Sequence, residues 1–325
     1  MPGQECAPTD PGIPTVTLVP LEPARPESRW QFFGDFLYLQ AGDANMAYAV
    51  PTNGAIVPPA GVAPLQLGAA AAVIPDFAPG FRVGLSGMLF SPARIGASYT
   101  YFWSDASSTL SVNPPDVNDS LVIHPGTEAA LPVFLDAQAT GRIGFQLADV
   151  DYRAPLASGE GYVLYYVLGG RYAHLHQDFH ATFFDSGTIE DVNTKILFDG
   201  GGIRVGLDGE RVSPTTGFLV YARGGASFLA GRFNASYSQV DNFNGTLVDT
   251  GLSARRIVPI LDLELGAGWT GLREHLRLTA GYMVNAWYNV ITTGDLINAV
   301  QNNRFTGLSN TLTFDGLVTR AELRF

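Results

Sequence analysis

The sequence has little cysteine, lysine or charge, and these shortages exclude several classes of protein. Cys6 is the single cysteine of the 325 residues, so the chain can form no internal disulfide and has no cysteine-rich metal motif. Charged residues make up only 15% of the chain, and the net charge of −11 leaves no basic patch for a nucleic-acid backbone. Lys195 is the only lysine. The composition therefore excludes a disulfide scaffold and argues against a nucleic-acid partner.

Long apolar runs are missing as well. No stretch approaches the roughly 18 apolar residues that a membrane-spanning helix requires. The longest uncharged run, residues 44–75, is interrupted by five prolines. Backbone polar groups in lipid must be paired internally, which leaves only helices and closed barrels as spanning structures. If the chain lies in a membrane, it is therefore a β-barrel.

The N-terminal segment has no apolar core of a secretory signal. Residues 1–28 contain seven prolines, which predicts an extended leader outside the fold, followed by one folded region over residues 29–325. We attribute the missing signal to a misplaced start site or to a trimmed sequence. A cytosolic protein is the alternative.

Glycine and aromatic residues are abundant instead, with 37 Gly, 20 Phe, 13 Tyr and 4 Trp. At the C-terminus, apolar residues alternate with charged ones, so a strand there has one apolar and one charged face. The apolar set consists of Leu317, Ala321, Leu323 and Phe325. A last strand that ends on phenylalanine is typical of bacterial outer-membrane barrels, and we predict that this set is the signal for the barrel-assembly machinery.

Similar alternation recurs about ten times, and the connections alternate in length. Short connections lie near residues 91–94, 154–160, 209–216 and 270–275, and longer ones near 41–79, 105–132, 181–194, 239–254 and 291–309. The pattern predicts an all-β fold: an antiparallel, up-and-down transmembrane β-barrel of about ten strands (roughly 8–12) with both termini periplasmic. A soluble β-sandwich or a large lipid-binding barrel is the alternative, because alternation alone does not tell the inside from the outside.

Several segments in a fixed order resemble a known family. They are residues 33–39 (FGDFLYL), 80–85 (GFRVGL), 166–172 (YVLGGRY), 198–207 (FDGGGIRVGL) and 315–325 (DGLVTRAELRF). From about residue 30 to the end, the chain resembles pore-forming, planctomycete-type outer-membrane barrels similar to the Legionella major outer membrane protein. This resemblance implies a pore-forming barrel and supplies no catalytic residues or cofactor.

The charged faces of the predicted strands are the candidate lumen. The predicted pore-lining set is Arg82, Asp136, Arg142, Arg171, Arg204, Arg223, Asp262, Glu264, Arg277, Arg320, Glu322 and Arg324. Its surplus of arginine predicts a lumen that favours small anions. The alternative is that these residues pair across a plugged interior, since barrels of about eight strands are filled by side chains.

Histidines follow one another beyond the predicted end of a spanning strand. His174 and His176 lie on one face of the strand and are weak candidates for a metal site; solvated rim residues are the alternative. His174, with Asp178, His180 and Asp185, also forms the only candidate for a hydrolytic site, but no spacing singles out a catalytic base. We therefore expect neither an enzyme nor a bound metal.

These patterns predict a bacterial outer-membrane pore for passive diffusion of small polar or ionic solutes. The alternative is a non-conducting structural or adhesive barrel that acts through its long outer loops. Expected partners are outer-membrane lipid, the barrel-assembly machinery and small solutes, with no nucleic acid and no cofactor. The apolar loop 44–75 is expected to fold into the lumen.

Overall fold

The computed structural model describes residues 29–54, 64–90, 92–127, 134–185, 187–271 and 275–325. The predicted leader, residues 1–28, lies outside this part of the chain. None of the helices within it is long and apolar enough to cross a membrane.

Ten antiparallel strands close into a barrel, which confirms the predicted fold class. In chain order these strands are β1 (Trp30–Gly42), β4 (Ala78–Phe90), β5 (Ala93–Ser111), β7 (Asp136–Gly159), β8 (Tyr162–Phe184), β9 (Ile189–Val212), β10 (Phe218–Asp241), β11 (Gly245–Gly271), β12 (Leu276–Val290) and β13 (Asn310–Arg324). Each strand pairs with its neighbours along the chain, and β1 closes the ring between β4 and β13. A closed ring leaves no unpaired strand edge in the lipid.

The first and last strands meet at a regular seam. Backbone hydrogen bonds join Trp30 N to Phe325 O at 3.1 Å and Phe325 N to Trp30 O at 2.9 Å. The rings of Phe32 and Phe325 lie edge to face on the outer surface, with centroids 6.4 Å apart. The terminal alternation thus places the apolar set of β13 on the lipid side of the closing seam.

The strands differ greatly in length around the barrel. Strands β7 to β11 have 23–27 residues, whereas β1, β4, β12 and β13 have 13–15. About 9–11 residues suffice to cross a bilayer. The predicted long loops at 181–194 and 239–254 are therefore wrong, because both regions are mostly strand. Strand β8 ends at Phe184 and β9 begins at Ile189, and β10 and β11 are joined by a turn at residues 242–244. The extra length extends one wall beyond the membrane.

An apolar band surrounds the barrel. The outward positions run without charge from Phe218 to Ala230 on β10 and from Ile257 to Trp269 on β11. Aromatic side chains border the band, with Trp30, Tyr162, Phe218, Trp269 and Phe325 at the short-turn end and Tyr38, Trp103 and Tyr172 at the other. The large side chains of the band are exposed because lipid is their solvent.

Two further elements cover the end of the barrel that lies opposite the short turns. A three-stranded sheet combines β2 (Met46–Thr52), β3 (Ala71–Val73) and β6 (Val117–Ser120). A short helix, α1 (Thr293–Gln301), follows β12 and begins with a capping box between Thr292 and Asp295. Residues 55–63 of loop 44–75 lie outside the described residues. In the rest of the loop, Tyr48 and Val73 pack against inward side chains of the wall.

Candidate functional site

We call the part of the barrel that the apolar band surrounds the membrane-spanning half, and the part beyond the band the projecting half. The interior of the membrane-spanning half contains a belt of ion pairs. Ten of the twelve predicted pore-lining residues face into it: Arg82, Arg171, Arg204, Arg223, Asp262, Glu264, Arg277, Arg320, Glu322 and Arg324. Each alternates along its strand with the exposed apolar residues and so faces inward, because successive side chains point to opposite faces. We call this set, together with the partners named below, the ionic belt.

Two predicted pore-lining residues face outward instead. Asp136 is exposed, and Arg142 forms an exposed pair with Asp105 at 3.1 Å. The prediction took the apolar residues of β7, such as Phe145, as lipid-facing, whereas Phe145 is buried inside the barrel. This part of β7 lies beyond the membrane band, where water is the outer solvent and the apolar face turns inward.

Several ion pairs of the belt connect strands that are not neighbours. Arg82 on β4 donates to Glu264 on β11 at 2.7 Å. Arg171 on β8 reaches Asp262 on β11 at 2.7 Å, and it also holds Asp149 on adjacent β7 at 2.7 Å. These side chains therefore reach across the lumen.

The sequence analysis missed six of the sixteen ion-paired residues of the belt, five of them carboxylates. Its ion pairs join eight arginines to eight carboxylates within the described residues, and the members absent from the predicted set are Asp35, Asp149, Asp151, Arg153, Asp208 and Glu210. Arg94, opposite Arg153 on the neighbouring strand, is a further buried arginine. The alternation with Phe36, Val150 and Leu207 was the signal that could have found Asp35, Asp149 and Asp208. The predicted surplus of positive charge is thus largely neutralised.

An aromatic cluster fills the lumen next to the belt. Phe145 on β7 and Phe314 on β13 approach with ring centroids 4.6 Å apart, although their strands belong to opposite walls. Trp287 on β12 contacts both rings and also Phe198 on β9. Each of these four side chains is at most 1% exposed. We call these four side chains the aromatic plug; its ring contacts join strands from opposite walls of the barrel.

The helix α1 forms a lid over the plug. Its apolar residues Leu296, Ile297 and Val300 are buried, and the helix contacts β8, β9 and β10, on the wall opposite the strands that it connects. Gln177 Nε2 on β8 donates to Ile291 O at 2.9 Å, just before the helix. Gln301 Nε2, at its end, donates to Leu121 O and Ile123 O at 3.0 Å.

One buried acid lies in the projecting half, near the lid. Glu190 on β9 is fully buried, and neither of its carboxylate oxygens forms a hydrogen bond with a partner among the residues that the structure describes. Burial raises its pKa to about 7; the amide of Gln239 opposes this shift, and the nearby Asp241 and Asp191 add to it. The pKa of Glu190 therefore lies near neutral pH inside the barrel.

The histidines of β8 lie on the outer surface above the membrane band. His174 Nδ1 lies 2.8 Å from Asp199 Oδ1, and His176 Nε2 lies 2.5 Å from Asp178 Oδ2. His180 Nδ1 contacts Asn193 Oδ1 at 2.7 Å. Throughout the described ranges, no group of three or more His, Cys, Asp or Glu side chains is arranged to hold a metal ion. The weak metal candidates His174 and His176 are placed as solvated rim residues with acidic partners.

Comparison with known proteins agrees with this architecture. The family model of the Legionella pneumophila major outer membrane protein precursor matches residues 22–324. Among solved structures, the chain is similar to the outer membrane protease OmpT from Escherichia coli, with 11% identity, coverage of 91% of this chain and 97% of that one, and a TM-score of 0.49. It is also similar to a mutant of the monoaromatic hydrocarbon channel TodX, with 9% identity, 93% and 91% coverage and a TM-score of 0.29. A FadL homologue of Pseudomonas aeruginosa gives 9% identity, 92% and 91% coverage and a TM-score of 0.25. The curated proteins give no match.

Proposed function

The chain belongs to the family of the Legionella pneumophila major outer membrane protein, a bacterial outer-membrane β-barrel, and from that premise we propose that its lumen is closed and that it acts through its projecting half. In this role the barrel is a non-catalytic anchor that presents the projecting wall, the three-stranded sheet and α1 to the outside. The observation that carries the proposal is the contact between opposite walls, through Arg82 and Glu264 in the belt and through Phe145 and Phe314 in the plug.

The energetics of the belt support a closed resting state. Removing one partner of a buried ion pair typically costs about 3–5 kcal/mol, because the other charge stays buried without compensation. A passage through the belt would have to separate several such pairs together. The plug adds a second barrier, since its side chains come from the strands themselves and cannot leave with a loop.

Passive diffusion of small polar or ionic solutes is the second candidate. One specific observation favours it: the belt provides a charged interior through the membrane-spanning half, where an apolar core would have served a purely structural barrel equally well. In that case the plug and α1 would form a gate, and the balanced charge of the belt would give weak selectivity between cations and anions.

Single-channel recording separates the two candidates. The full chain is refolded in detergent, its folding is verified by heat-sensitive gel mobility, and it is inserted into a planar bilayer. We expect no stepwise current from the unmodified protein. The matched variant removes both barriers: alanine replaces Phe145, Trp287 and Phe314 in the plug and Arg82 and Glu264 in the belt. We expect this variant to conduct, which would show that the assay detects an opened lumen.

Stepwise currents from the unmodified, folded protein would overturn the closed barrel and support the diffusion pore. Replacement of Arg204 by glutamine should then change the conductance, because Arg204 lies between Asp149, Asp151 and Asp262 in the belt. A current that is insensitive to Arg204 would indicate a leak around the barrel and not a passage through it.

We also propose that the barrel-assembly machinery recognises the last strand. Leu317, Leu323 and Phe325 are 57%, 47% and 64% exposed on the outer face of β13, with Ala321 between them. The backbone edge beside this row is unpaired until the seam with β1 closes. Replacing Phe325 by serine should lower the amount of folded protein in the outer membrane, whereas Thr311→Ser at the other end of the same strand should not.

A further inference from the structure

Two arginines interrupt the outer surface where the apolar band ends. On β10 the outward residues change from Phe228 and Ala230 to Arg232, and on β11 they change from Ile257 to Arg255. Both arginines are exposed. The change from lipid-facing to water-facing residues is therefore abrupt on these two strands, and a positive charge marks it on each.

The same border is aromatic on other strands. Tyr38 on β1, Trp103 on β5 and Tyr172 on β8 occupy it, as expected for side chains at a membrane interface. Arg232 and Arg255 thus form a distinct sector of the border, on the wall that projects furthest from the membrane.

The two arginines are directly opposite each other in the register of β10 and β11. Opposite residues on antiparallel strands have Cβ atoms about 4.5–5.5 Å apart, and like charges in such a pair repel each other. Neither side chain forms an ion pair with another residue in the described part of the chain. The fold therefore keeps two unneutralised positive charges side by side at the edge of the lipid.

One carboxylate lies beside the pair but is already engaged. Asp199 is opposite Arg232 on β9, and its Oδ1 accepts from the Tyr172 hydroxyl at 2.7 Å and contacts His174 Nδ1 at 2.8 Å. The carboxylate is thereby held toward β8. The outer surface has a groove of about 570 Å³ here, lined in part by the two arginines, Asp199, Ala230 and Ile257.

We propose that Arg232 and Arg255 bind the phosphate group of an anionic lipid headgroup in the outer leaflet. Two neighbouring guanidinium groups can hold one phosphate with paired hydrogen bonds, which suits arginine better than lysine. The apolar residues below the pair would contact the acyl chains, and the polar Asn234 and Ser253 above it would face the rest of the headgroup. This site is independent of the lumen and hence of the proposed function.

The test measures lipid retention by native mass spectrometry of the full chain. The protein is placed in phosphatidylcholine nanodiscs that contain a minor fraction of lipid A, either phosphorylated or with its phosphates removed. The variant is Arg232→Gln with Arg255→Gln. The matched control, Arg142→Gln with Lys195→Gln, removes the same charge from exposed outward positions further along the projecting wall.

We expect the variant to retain phosphorylated lipid A at least about tenfold less than the unmodified protein, and the control to retain it normally. Dephosphorylated lipid A should be retained weakly by all three. A further variant with lysine at both positions keeps the charge and should recover part of the retention. Heat-sensitive mobility verifies that each variant is folded.

Equal retention by the unmodified protein and the glutamine variant would overturn the proposal. Equal retention of dephosphorylated lipid would also overturn it, because the phosphate would then not be recognised. If inorganic phosphate alone protects the arginines from a guanidine-directed reagent while lipid A is not retained, the pair is a site for free phosphate and the lipid assignment is wrong.

Discussion

The membrane-spanning half and the projecting half of this barrel have opposite polarity. In the first half β10 turns Val220 outward and Arg223 inward, and in the second it turns Ser236 outward and Phe233 inward. The strand is continuous and its alternation is unchanged. What changes is the outer solvent, from lipid to water, and with it the face that gains free energy from burial. A single strand thus buries its polar face in the membrane-spanning half and its apolar face in the projecting half.

The largest expected effect comes from breaking the ionic belt. Glu264 binds Arg82 at 2.7 Å and Arg223 at 2.8 Å, and all three are largely buried. Glu264→Leu leaves Arg223 without a carboxylate and should lower the free energy of unfolding by about 3–5 kcal/mol. Urea unfolding in lipid vesicles, followed by tryptophan fluorescence, measures this loss.

The matched control is a carboxylate–arginine pair on the outside of the projecting half. Asp105 pairs with Arg142 at 3.1 Å, and both side chains are about 60% exposed. Asp105→Leu should change the free energy of unfolding by less than about 0.5 kcal/mol. If both substitutions cost the same, the belt does not carry the stability of the membrane-spanning half.

A second prediction compares the outer surfaces of the two halves. Leu263 lies in the middle of the apolar band on β11, and arginine there should cost about 2–4 kcal/mol because its charge enters the lipid. Ser107 is outward on β5 beyond the band, and Ser107→Arg should stay within about 0.5 kcal/mol. The same unfolding assay measures both. Similar costs would show that the band does not end where the polarity of the strands inverts.

The sequence predicted the membrane-spanning half better than the projecting half. On β13 and β10 the alternation assigns Arg320 and Arg223 to the inside correctly, because the apolar residues between them are those that face lipid. On β7 the same rule puts Arg142 inside, which is wrong, since alternation does not reveal which solvent lies outside.

The lid and the plug were missed for different reasons. The helix α1 lies in a region predicted as a loop, although Thr292 and Asp295 form a recognisable capping box before an apolar run. The plug had no comparable local signal. Phe145 and Phe314 are far apart in the chain and meet only because the ring closes, so their contact depends on the strand order.

The third prediction concerns pH and the interior of the projecting half. The pKa of Glu190 is about 7 in the folded protein and about 4.5 when solvated, so folding takes up a proton between these values. The contribution of Glu190 to stability is therefore most favourable below about pH 4.5, is lost as the pH rises through 7, and stays unfavourable above it. Glu190→Gln should remove this dependence and stabilise the protein at about pH 8 by on the order of 1–3 kcal/mol.

Unfolding of the two proteins at several pH values between about 4.5 and 8 checks this prediction. Glu264→Gln in the belt serves as a reference, because Glu264 is not among the groups that shift the pKa of Glu190. A constant difference between Glu190→Gln and the unmodified protein across this range would show that Glu190 does not change its protonation on folding.

The smallest expected effect separates the lid from the plug. Thr292 Oγ1 accepts from Asp295 N at 3.3 Å, and Thr292→Ala removes this cap of α1 at a cost of about 1 kcal/mol. Amides within α1 should then exchange with solvent about fivefold faster, while those of β7 and β13 around the plug keep their protection. Hydrogen-exchange mass spectrometry resolves the two regions, and Thr292→Ser, which retains the hydroxyl, is the control. Because Phe145 and Phe314 belong to the wall, a loosened lid alone should leave the planar bilayer silent. Currents from Thr292→Ala would instead make α1 the closing element and assign the projecting half a gating role.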